Sequence, residues 1–297
     1  MISELCKALA FPDEACDTLS ACHAAVMADP TARAIIDRVR EKLFSSDPFD
    51  GTQLSEVSER LGIDVMVVHM VFLLHCAPDM RARYREMGLD DALFWDTLQD
   101  LRYQVMETKQ VYGVWGEHAI WWEVDFFRCK RFALGRLQYE WDGYYCDTPY
   151  KQYQKGDRIL SCHIPSSGKL RREDVLLSLK KAYEFYDGRS CEGGIMAVQC
   201  ESWMLYDKHL PLFPKGSNLR MFYLLFHNIE NKPSKSNIDF WRIFGTKYSP
   251  EALESASEST ALQRNFKHFL REGNTMGFGK SVLLFDGERI LTEQVED

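Results

Sequence analysis

The chain has 297 residues, of which 45% are hydrophobic and 27% charged, and its formal net charge is −8. This length and composition predict about two globular domains and exclude an intrinsically disordered chain. The acidic balance excludes a general nucleic-acid binder, because affinity for phosphate backbones requires a concentrated positive surface.

The nine cysteines are scattered along the chain and form no CxxC pair. This distribution predicts buried free thiols in a reducing compartment. The N-terminal segment MISELCKALAFPDE has neither a basic start nor an apolar run, and no apolar run approaches the roughly 20 residues of a membrane span. We therefore expect a cytoplasmic protein without a membrane segment.

Residues 1–129 are predicted to form a helical domain. Apolar residues recur at three- and four-residue spacing over 13–44, 54–76 and 91–108, with a break expected near Asp29-Pro30. Residues 118–130 follow as an aromatic-rich helix.

Two features of this half resemble functional motifs without predicting them. The segment LSEVSERLGI at 54–63 resembles the start of a helix-turn-helix, but residues 64–76 contain no Lys or Arg to contact DNA. His69, His75 and Cys76 lie on an apolar helix with no second ligand pair at usable spacing. We expect core residues here and no metal site.

From residue 130 onward the hydrophobic period changes. Alternating side chains over 137–142 predict a strand, as do the apolar runs 158–164 and 195–205, while 170–186 has the pattern of an amphipathic helix. The further predicted elements are a short helix over 217–226, strands over 238–244 and 282–285, and an acidic helix over 250–271. The fold class is therefore a helical N-terminal domain followed by a mixed α/β domain over 130–297.

The segment between the strand at 158–164 and the next helix has the chemistry of an anion site. Ser166, Ser167 and Gly168 allow the backbone N–H groups to approach a ligand, and the following helix N-terminus adds unpaired donors. Lys169 and Arg171, with Arg172 next to them, concentrate positive charge in an acidic chain. The residues alone fit either a pyrophosphate site or a tight loop with solvated basic side chains.

Several motifs in this half, taken in order, resemble a known family. They are Gly135-Arg-Leu-Gln-Tyr-Glu140, Ser161-Cys-His-Ile-Pro165, Cys200-Glu-Ser-Trp-Met-Leu205, Leu210-Pro-Leu-Phe-Pro214 and Ser217-Asn-Leu219. The chain is similar to bacterial acyltransferase-domain proteins that have a helical N-terminal domain of the N-acyltransferase type and a GNAT-like C-terminal domain.

The resemblance implies a mixed sheet that is splayed in the middle, with acyl-CoA between the fourth and fifth strands. Residues 158–164 and 195–202 would be these two strands. The N–H of Cys162 or Ile164 would serve the thioester oxygen, and the loop would bind the pyrophosphate. The implied acyl-CoA-binding residues are Cys162, Ile164, Ser166, Ser167, Gly168, Lys169 and Arg171.

Transfer to an amine requires a base, because an alkyl amine with a pKa near ~10.4 is mostly protonated at neutral pH. Glu201 is the first candidate for this base. The sequence fits a solvent-facing carboxylate at a strand end equally well. His163 is the second, with a structural role as its alternative. Tyr206 and Tyr223 are the candidate acids for the departing thiolate, with Ser202 as a substitute.

The sequence thus predicts an acyl-CoA-dependent acyltransferase that uses acetyl-CoA or another acyl-CoA without a metal. The acceptor would be a small-molecule or peptide amine, with the helical domain shaping the acceptor side; a homodimer stays open. The alternatives are a GNAT-like domain that binds CoA without turnover, and an interaction module. The module would use an aromatic patch made of Trp115, Trp121, Trp122, Phe126 and Phe127.

Overall fold

The computed structural model describes residues 2–295 and divides into two compact units, Met1–Ala133 and Leu134–Asp297. The first unit is built of helices and the second of a mixed sheet with helices. The predicted fold class is confirmed.

Most helices of the first unit follow the predicted patterns, but the helix over 2–8 was not predicted, and the helix expected to end at 76 continues to Glu86. The helices are α1 (Ile2–Ala8), α2 (Asp13–Ala28), α3 (Pro30–Leu43), α4 (Leu54–Leu61), α5 (Val65–Glu86), α6 (Asp91–Leu98), α7 (Asp100–Tyr112) and α8 (Ile120–Phe127). The predicted break near Asp29-Pro30 is present, because the Asp29 side chain accepts the N–H groups of Thr31 and Ala32 and begins α3. Each of the patterns 54–76 and 91–108 forms two helices, and left-handed Gly62 (φ 64°) ends α4.

Helix α5 forms the centre of the first unit. It is long and apolar enough to cross a membrane by length and composition alone, but 56% of its most apolar window is buried inside the protein. The imidazole of His69 pairs through Nδ1 with the Glu117 carbonyl oxygen (3.1 Å), and burial lowers the pKa of both His69 and His75. Residues 2–295 contain no group of side chains that could hold a metal ion.

The aromatic patch considered above is not one continuous exposed surface. Phe126 and Phe127 are buried, Trp115 and Trp122 are partly buried, and only Trp121 among the five is largely exposed.

The second unit begins just after a short strand, β1 (Arg131–Ala133), that ends the first. Its strands are β2 (Gln138–Gly143), β3 (Arg158–His163), β4 (Met196–Ser202), β5 (His227–Pro233) and β6 (Gly277–Phe285). They lie across the sheet in the order β2-β3-β4-β6-β5. The β3–β4 pair is parallel, and the other neighbouring pairs are antiparallel.

The helices of this unit are α9 (Arg172–Phe185), α10 (Asn218–Leu224), α11 (Phe240–Phe244), α12 (Pro250–Ser255) and α13 (Ala261–Arg271). Helix α9 packs on the sheet through Ser178, whose hydroxyl lies 3.2 Å from the Tyr139 hydroxyl and donates to the Leu134 carbonyl. This contact fixes the helix that follows β3.

Two predicted elements in this unit need correction, and one strand was missed. The strand predicted over 238–244 is wrong: Phe240–Phe244 is a helical turn, in which the rings of Phe240 and Phe244 stack at 4.3 Å. The acidic helix predicted over 250–271 is two helices, with Thr260 beginning the second in a capping box with Gln263. Strand β5 was not predicted.

Candidate functional site

The central parallel strands pair over a short stretch. Within the described residues the register of β3 with β4 consists of Leu160↔Val198 and Ser161↔Gln199. Beyond these pairs, β3 continues to His163 in register with β2, and β4 continues to Ser202 in register with β6. The two strands therefore stop pairing with each other while each remains paired with its outer neighbour, and we call the unpaired region between their ends the cleft.

The closed end of the cleft is fixed by the buried side chain of Gln199. Its Nε2 donates to the Ser161 hydroxyl (2.8 Å) and to the Gly143 carbonyl (2.9 Å), while its Oε1 accepts the N–H of Tyr145 (3.2 Å). A buried amide with these partners makes a rigid bridge between β4 and β3. The position at which β3 and β4 stop pairing is therefore fixed by the hydrogen bonds of this side chain as well as by the backbone pairing.

The register also assigns side chains to the two faces of the sheet, because residues directly opposite each other point the same way. Glu140, Ser161 and His163 share one face with Gln199, Glu201 and Lys280. We call this the polar face. Cys162, Cys200 and Ser202 lie on the opposite face, towards which Tyr139 and α9 are packed.

Arg136 shapes the loop after β3. Its guanidinium donates to the carbonyl oxygens of Pro165 (3.0 Å), Gly168 (2.7 Å) and Lys169 (3.2 Å). Three loop carbonyls are thus turned towards one cation, and Gly168 supplies the positive φ (117°) that the bend requires. Sequence reasoning missed Arg136, since nothing local connects it with a loop 30 positions later.

The loop and the start of α9 leave backbone donors available. Within the described part of the chain, the N–H groups from Ser167 to Arg171 have no hydrogen-bond acceptor. Arg171 occupies the N-cap position of α9 without a side-chain cap, and the side chains of Lys169 and Arg171 are exposed. Unpaired donors, a helix N-terminus and two cations make a favourable site for a phosphate group.

Arg172, the third cation of this segment, is engaged elsewhere. It makes two hydrogen bonds to the carboxylate of Glu293, at 2.9 and 2.6 Å. The anion site is therefore left with Lys169 and Arg171.

Glu201 and His163 flank the cleft on its polar face. Each lies two residues beyond the last β3–β4 register pair, Ser161↔Gln199. The side chain of Glu201 is exposed and has no hydrogen-bond or ion-pair partner among residues 2–295. His163 is part-buried, and its Nε2 lies 2.8 Å from Oε1 of Glu140.

Glu140 is a residue that sequence reasoning did not single out. Its side chain is 11% exposed and that of His163 is 23% exposed, so the pair is shielded on the sheet. An ionised Glu140 can only accept a hydrogen bond, so in that state Nε2 of His163 is the donor and the contact orients the ring. The alternating pattern of β2 could have indicated Glu140 only if its register with β3 had been known.

Ser202 and Tyr206 lie away from the polar face. The Ser202 hydroxyl accepts the N–H of Met204 (3.2 Å) and begins the short helical turn after β4. The Tyr206 side chain is buried beside Gly277 and against the ring of His209. Its hydroxyl has no hydrogen-bond partner in the part of the chain that is described.

The two cysteines of the cleft are unsuited to covalent catalysis. Cys162 and Cys200 are buried on the face opposite to Glu201, and both are free thiols. A hydrogen bond with Cys162, together with burial, raises the pKa of Cys200 well above its usual value. A neutral buried thiol is a poor nucleophile.

Tyr223, which also carries a hydroxyl near this region, is committed to another contact. It donates to Oδ1 of Asp207 at 2.5 Å, and Asn231 donates to the other oxygen of that carboxylate. Burial and Asp207 raise the pKa of Tyr223 above its usual value. This network secures the segment after β4 to β5.

Comparison with known proteins gives a consistent result for both halves. Residues 1–129 match the family model of an N-acyltransferase N-terminal domain, and residues 132–283 match that of a GNAT-like C-terminal domain. No curated protein matches the chain.

Solved structures share the fold across both units. An acyltransferase in complex with decanoyl-CoA and teicoplanin has a TM-score of 0.76 and 20% sequence identity, over 95% of this chain and 86% of that one. An acyltransferase in complex with decanoyl-CoA has a TM-score of 0.74 and 18% identity, over the same shares. At these identities the likeness establishes the fold.

Proposed function

Since this chain belongs to the family in which an N-acyltransferase N-terminal domain precedes a GNAT-like C-terminal domain, we propose that it transfers an acyl group from acyl-CoA directly to an amine. The observation that carries the proposal is the cleft between β3 and β4, which lies beside an anion site and a flanking carboxylate. The amine would form a bond to the thioester carbonyl carbon as the carbon–sulfur bond breaks. CoA would leave as the thiol.

We propose that the loop after β3 binds the pyrophosphate of CoA. Ser166, Ser167 and Gly168 would offer backbone N–H groups, and Lys169 and Arg171 would add charge. Cys162 and Ile164, at the end of β3, would present an N–H to the thioester oxygen as negative charge develops there.

Calorimetric titration with CoA, acetyl-CoA and decanoyl-CoA, with ATP as a phosphate-bearing control, tests this assignment. We expect micromolar binding that is selective for the CoA compounds. Comparing acetyl-CoA with decanoyl-CoA would show whether the cleft prefers a short or a long acyl chain. No binding of any CoA compound would remove the proposed function and would favour a degenerate or interaction domain.

Reversing the charge of the loop should weaken CoA binding. In the double variant Lys169→Glu/Arg171→Glu we expect at least about a ten-fold loss of CoA affinity, because two attractive charges become repulsive beside the phosphates. A matched variant, Lys215→Glu/Lys235→Glu, makes the same change in charge at two other exposed lysines of this unit. Equal affinity in the two double variants would show that the loop is not the pyrophosphate site.

Glu201 is the proposed base. A neutral amine with a pKa near ~10.4 is only about 1 part in 2,500 of the total at pH 7, which corresponds to roughly 4–5 kcal/mol. An exposed carboxylate beside the cleft, with no partner in the described chain, can take the amine proton directly or through water. His163, held by Glu140, is the second group on this face that could carry a proton.

Replacing Glu201 with glutamine should therefore lower turnover by about 100-fold, which is the usual scale for a general base. CoA affinity should stay within about two-fold of wild type, because Glu201 is not part of the loop. The rate is measured as release of CoA thiol from decanoyl-CoA in the presence of a primary alkyl amine. A wild-type rate would remove Glu201 as the base.

The proposed acid for the departing thiolate is Tyr206, whose hydroxyl has no partner in the described chain. Ser202 is the weaker candidate, because its hydroxyl already accepts from Met204. The balance of the reaction is complete: the amine loses one proton to the base and the thiolate gains one.

The acceptor is proposed to be a small molecule or a peptide that carries an amine. A metal is not required by the residues of the cleft. The cysteines from Cys6 to Cys200 are all free, which supports a reducing, cytoplasmic setting. Screening amines against decanoyl-CoA, with free thiol as the signal, identifies the acceptor class.

A further inference from the structure

Lys280 lies between two carboxylates on the polar face. In the sheet register it is opposite Glu201 on β4 and also opposite Glu230 on β5. Residues directly opposite in antiparallel strands have Cβ atoms about 4.5–5.5 Å apart, which is within reach of a lysine ammonium. Lys280 could therefore pair with either glutamate.

The ammonium of Lys280 is held on the Glu230 side. Its Nζ lies 3.4 Å from Oε2 of Glu230 and donates to the Tyr145 carbonyl oxygen at 3.1 Å. The side chains of Lys280 and Glu230 are only 20% and 22% exposed, so both are partly shielded from water.

Glu230 is anchored independently of Lys280. Its Oε1 accepts the N–H of Thr148 at 2.7 Å. Burial alone would raise the pKa of Glu230, but the N–H groups of Thr148 and Asp147 and the charge of Lys280 outweigh it and hold the pKa below its usual value. Glu230 is thus a fixed, ionised partner, whereas the exposed Glu201 has none in the described chain.

We propose that Glu230 is a positioning residue that keeps Lys280 away from Glu201, so that Glu201 stays available to accept the proton of the amine. This rests on the role given to Glu201 in the proposed function. Without the charge of Glu230, Glu201 is the carboxylate in register with the ammonium. An ion pair there would stabilise the ionised form of Glu201 and make it a weaker base.

The first test does not depend on turnover. Side-chain carboxyl resonances of glutamate are followed by carbon NMR from pH 3 to 8 in wild type, Glu230→Gln, Lys280→Met and the double variant, and Glu201→Gln assigns the signal of Glu201. We expect Glu201 to titrate about half a pH unit lower in Glu230→Gln than in wild type, the scale of an exposed ion pair. In the Lys280→Met background the same substitution should cause no such shift. An unchanged titration of Glu201 in Glu230→Gln would overturn the proposal.

The second test is a double-mutant cycle on the rate. Glu230→Gln should lower kcat/KM about three-fold at neutral pH and move the acid limb of the pH–rate profile to lower pH. In the Lys280→Met background the loss should be within about 1.5-fold. Glutamine keeps an oxygen for the Thr148 N–H, so the anchoring contact is preserved. An equal loss with and without Lys280 would overturn the proposal.

The two tests separate this inference from the proposed function. If Glu201→Gln retains the wild-type rate, the base assignment fails, whatever the NMR titration gives. If Glu201→Gln is impaired while Glu230→Gln behaves as wild type in both measurements, the base assignment stands and only the positioning role of Glu230 is removed.

Discussion

Replacing Gly279 with alanine should destabilise the second unit by more than about 4 kcal/mol. Gly279 lies on β6 opposite Ser202, where β4 ends. A Cβ atom there would stand 1.7 Å from the carbonyl oxygen of Leu205 and 2.3 Å from its carbonyl carbon. Because these are backbone atoms, no side-chain rotation relieves the overlap, and the turn after β4 would have to leave the sheet.

Thermal unfolding followed by tryptophan fluorescence measures this effect, since Trp203 is buried in the same turn. The matched control is Gly143→Ala on β2, where the nearest atom to a new Cβ would be the Gly156 Cα at an ordinary 3.5 Å. We expect the control to stay within about 1 kcal/mol of wild type. A melting temperature for Gly279→Ala within about 2 °C of the control would contradict the prediction, because it would show that the turn after β4 moves aside at little cost.

This close approach positions the candidate site, yet the sequence does not reveal it. Glu201 precedes Ser202, so the backbone contact between Gly279 and Leu205 holds the strand end that carries the proposed base. A glycine within a strand is compatible with a bulge, a bend or a close contact, and the sequence does not distinguish them.

The strands that the sequence predicted correctly are those with local apolar patterns. Strands β3 and β4 are buried runs, and the sequence of β2 alternates between polar and aromatic residues. By contrast, β5 has the sequence HNIENKP, lies at the edge of the sheet and buries little, so it carries no apolar signal. The segment at 238–244 contains β-branched and aromatic residues typical of a strand, but ring stacking between Phe240 and Phe244 favours a helical turn.

The candidate site also combines features that a local sequence pattern predicts with features that it does not. The loop after β3 could be predicted because its small and basic residues are adjacent in the chain. Arg136, Glu140 and Glu230 could not, because each acts through contacts across strands or loops: Arg136 on the loop carbonyls, Glu140 on His163 and Glu230 on Lys280. These pairings depend on register, which a single sequence does not contain.

The first unit contains a buried acidic cluster that makes its stability depend on pH. Asp100, Glu117 and Glu123 are 3%, 0% and 1% exposed, and Arg131, also buried, is the nearby cation. Glu117 is fixed by its backbone, since its N–H donates to the Met66 carbonyl at 2.8 Å, and its side-chain Oε1 accepts the N–H of Ala119. Burying several acids together favours their neutral forms.

Burial raises the pKa of Glu117 to about 8; the Ala119 N–H opposes this rise, and the charges of Asp100 and Glu107 add to it. Burial likewise raises the pKa of Glu123 well above its usual value. The folded state therefore retains protons that the unfolded chain releases above about pH 4.5. The contribution of these two carboxyl groups to stability is fully present below that pH and is lost as the pH rises towards 8.

Replacing Glu117 with glutamine should remove much of this loss of stability at high pH. A shift from 4.5 to about 8 corresponds to at most about 4–5 kcal/mol, so the variant should be more stable than wild type by several kcal/mol at pH 8 and similar to it at pH 5. The amide oxygen still accepts the Ala119 N–H, which keeps the local geometry. Urea unfolding at pH 5, 6.5 and 8 measures the difference.

The difference in stability between variant and wild type isolates the effect of Glu117 from groups whose contribution has the opposite pH dependence. Burial lowers the pKa of His209 in the second unit to about 4, so its contribution to stability is present above about pH 6.5 and is lost as the pH falls towards 4. This contribution is the same in both proteins and cancels in the comparison. Glu56→Gln, at an exposed position of the first unit, should follow wild type at every pH. Stability curves of Glu117→Gln and wild type that run parallel from pH 5 to 8 would mean that Glu117 does not hold its proton in the folded state.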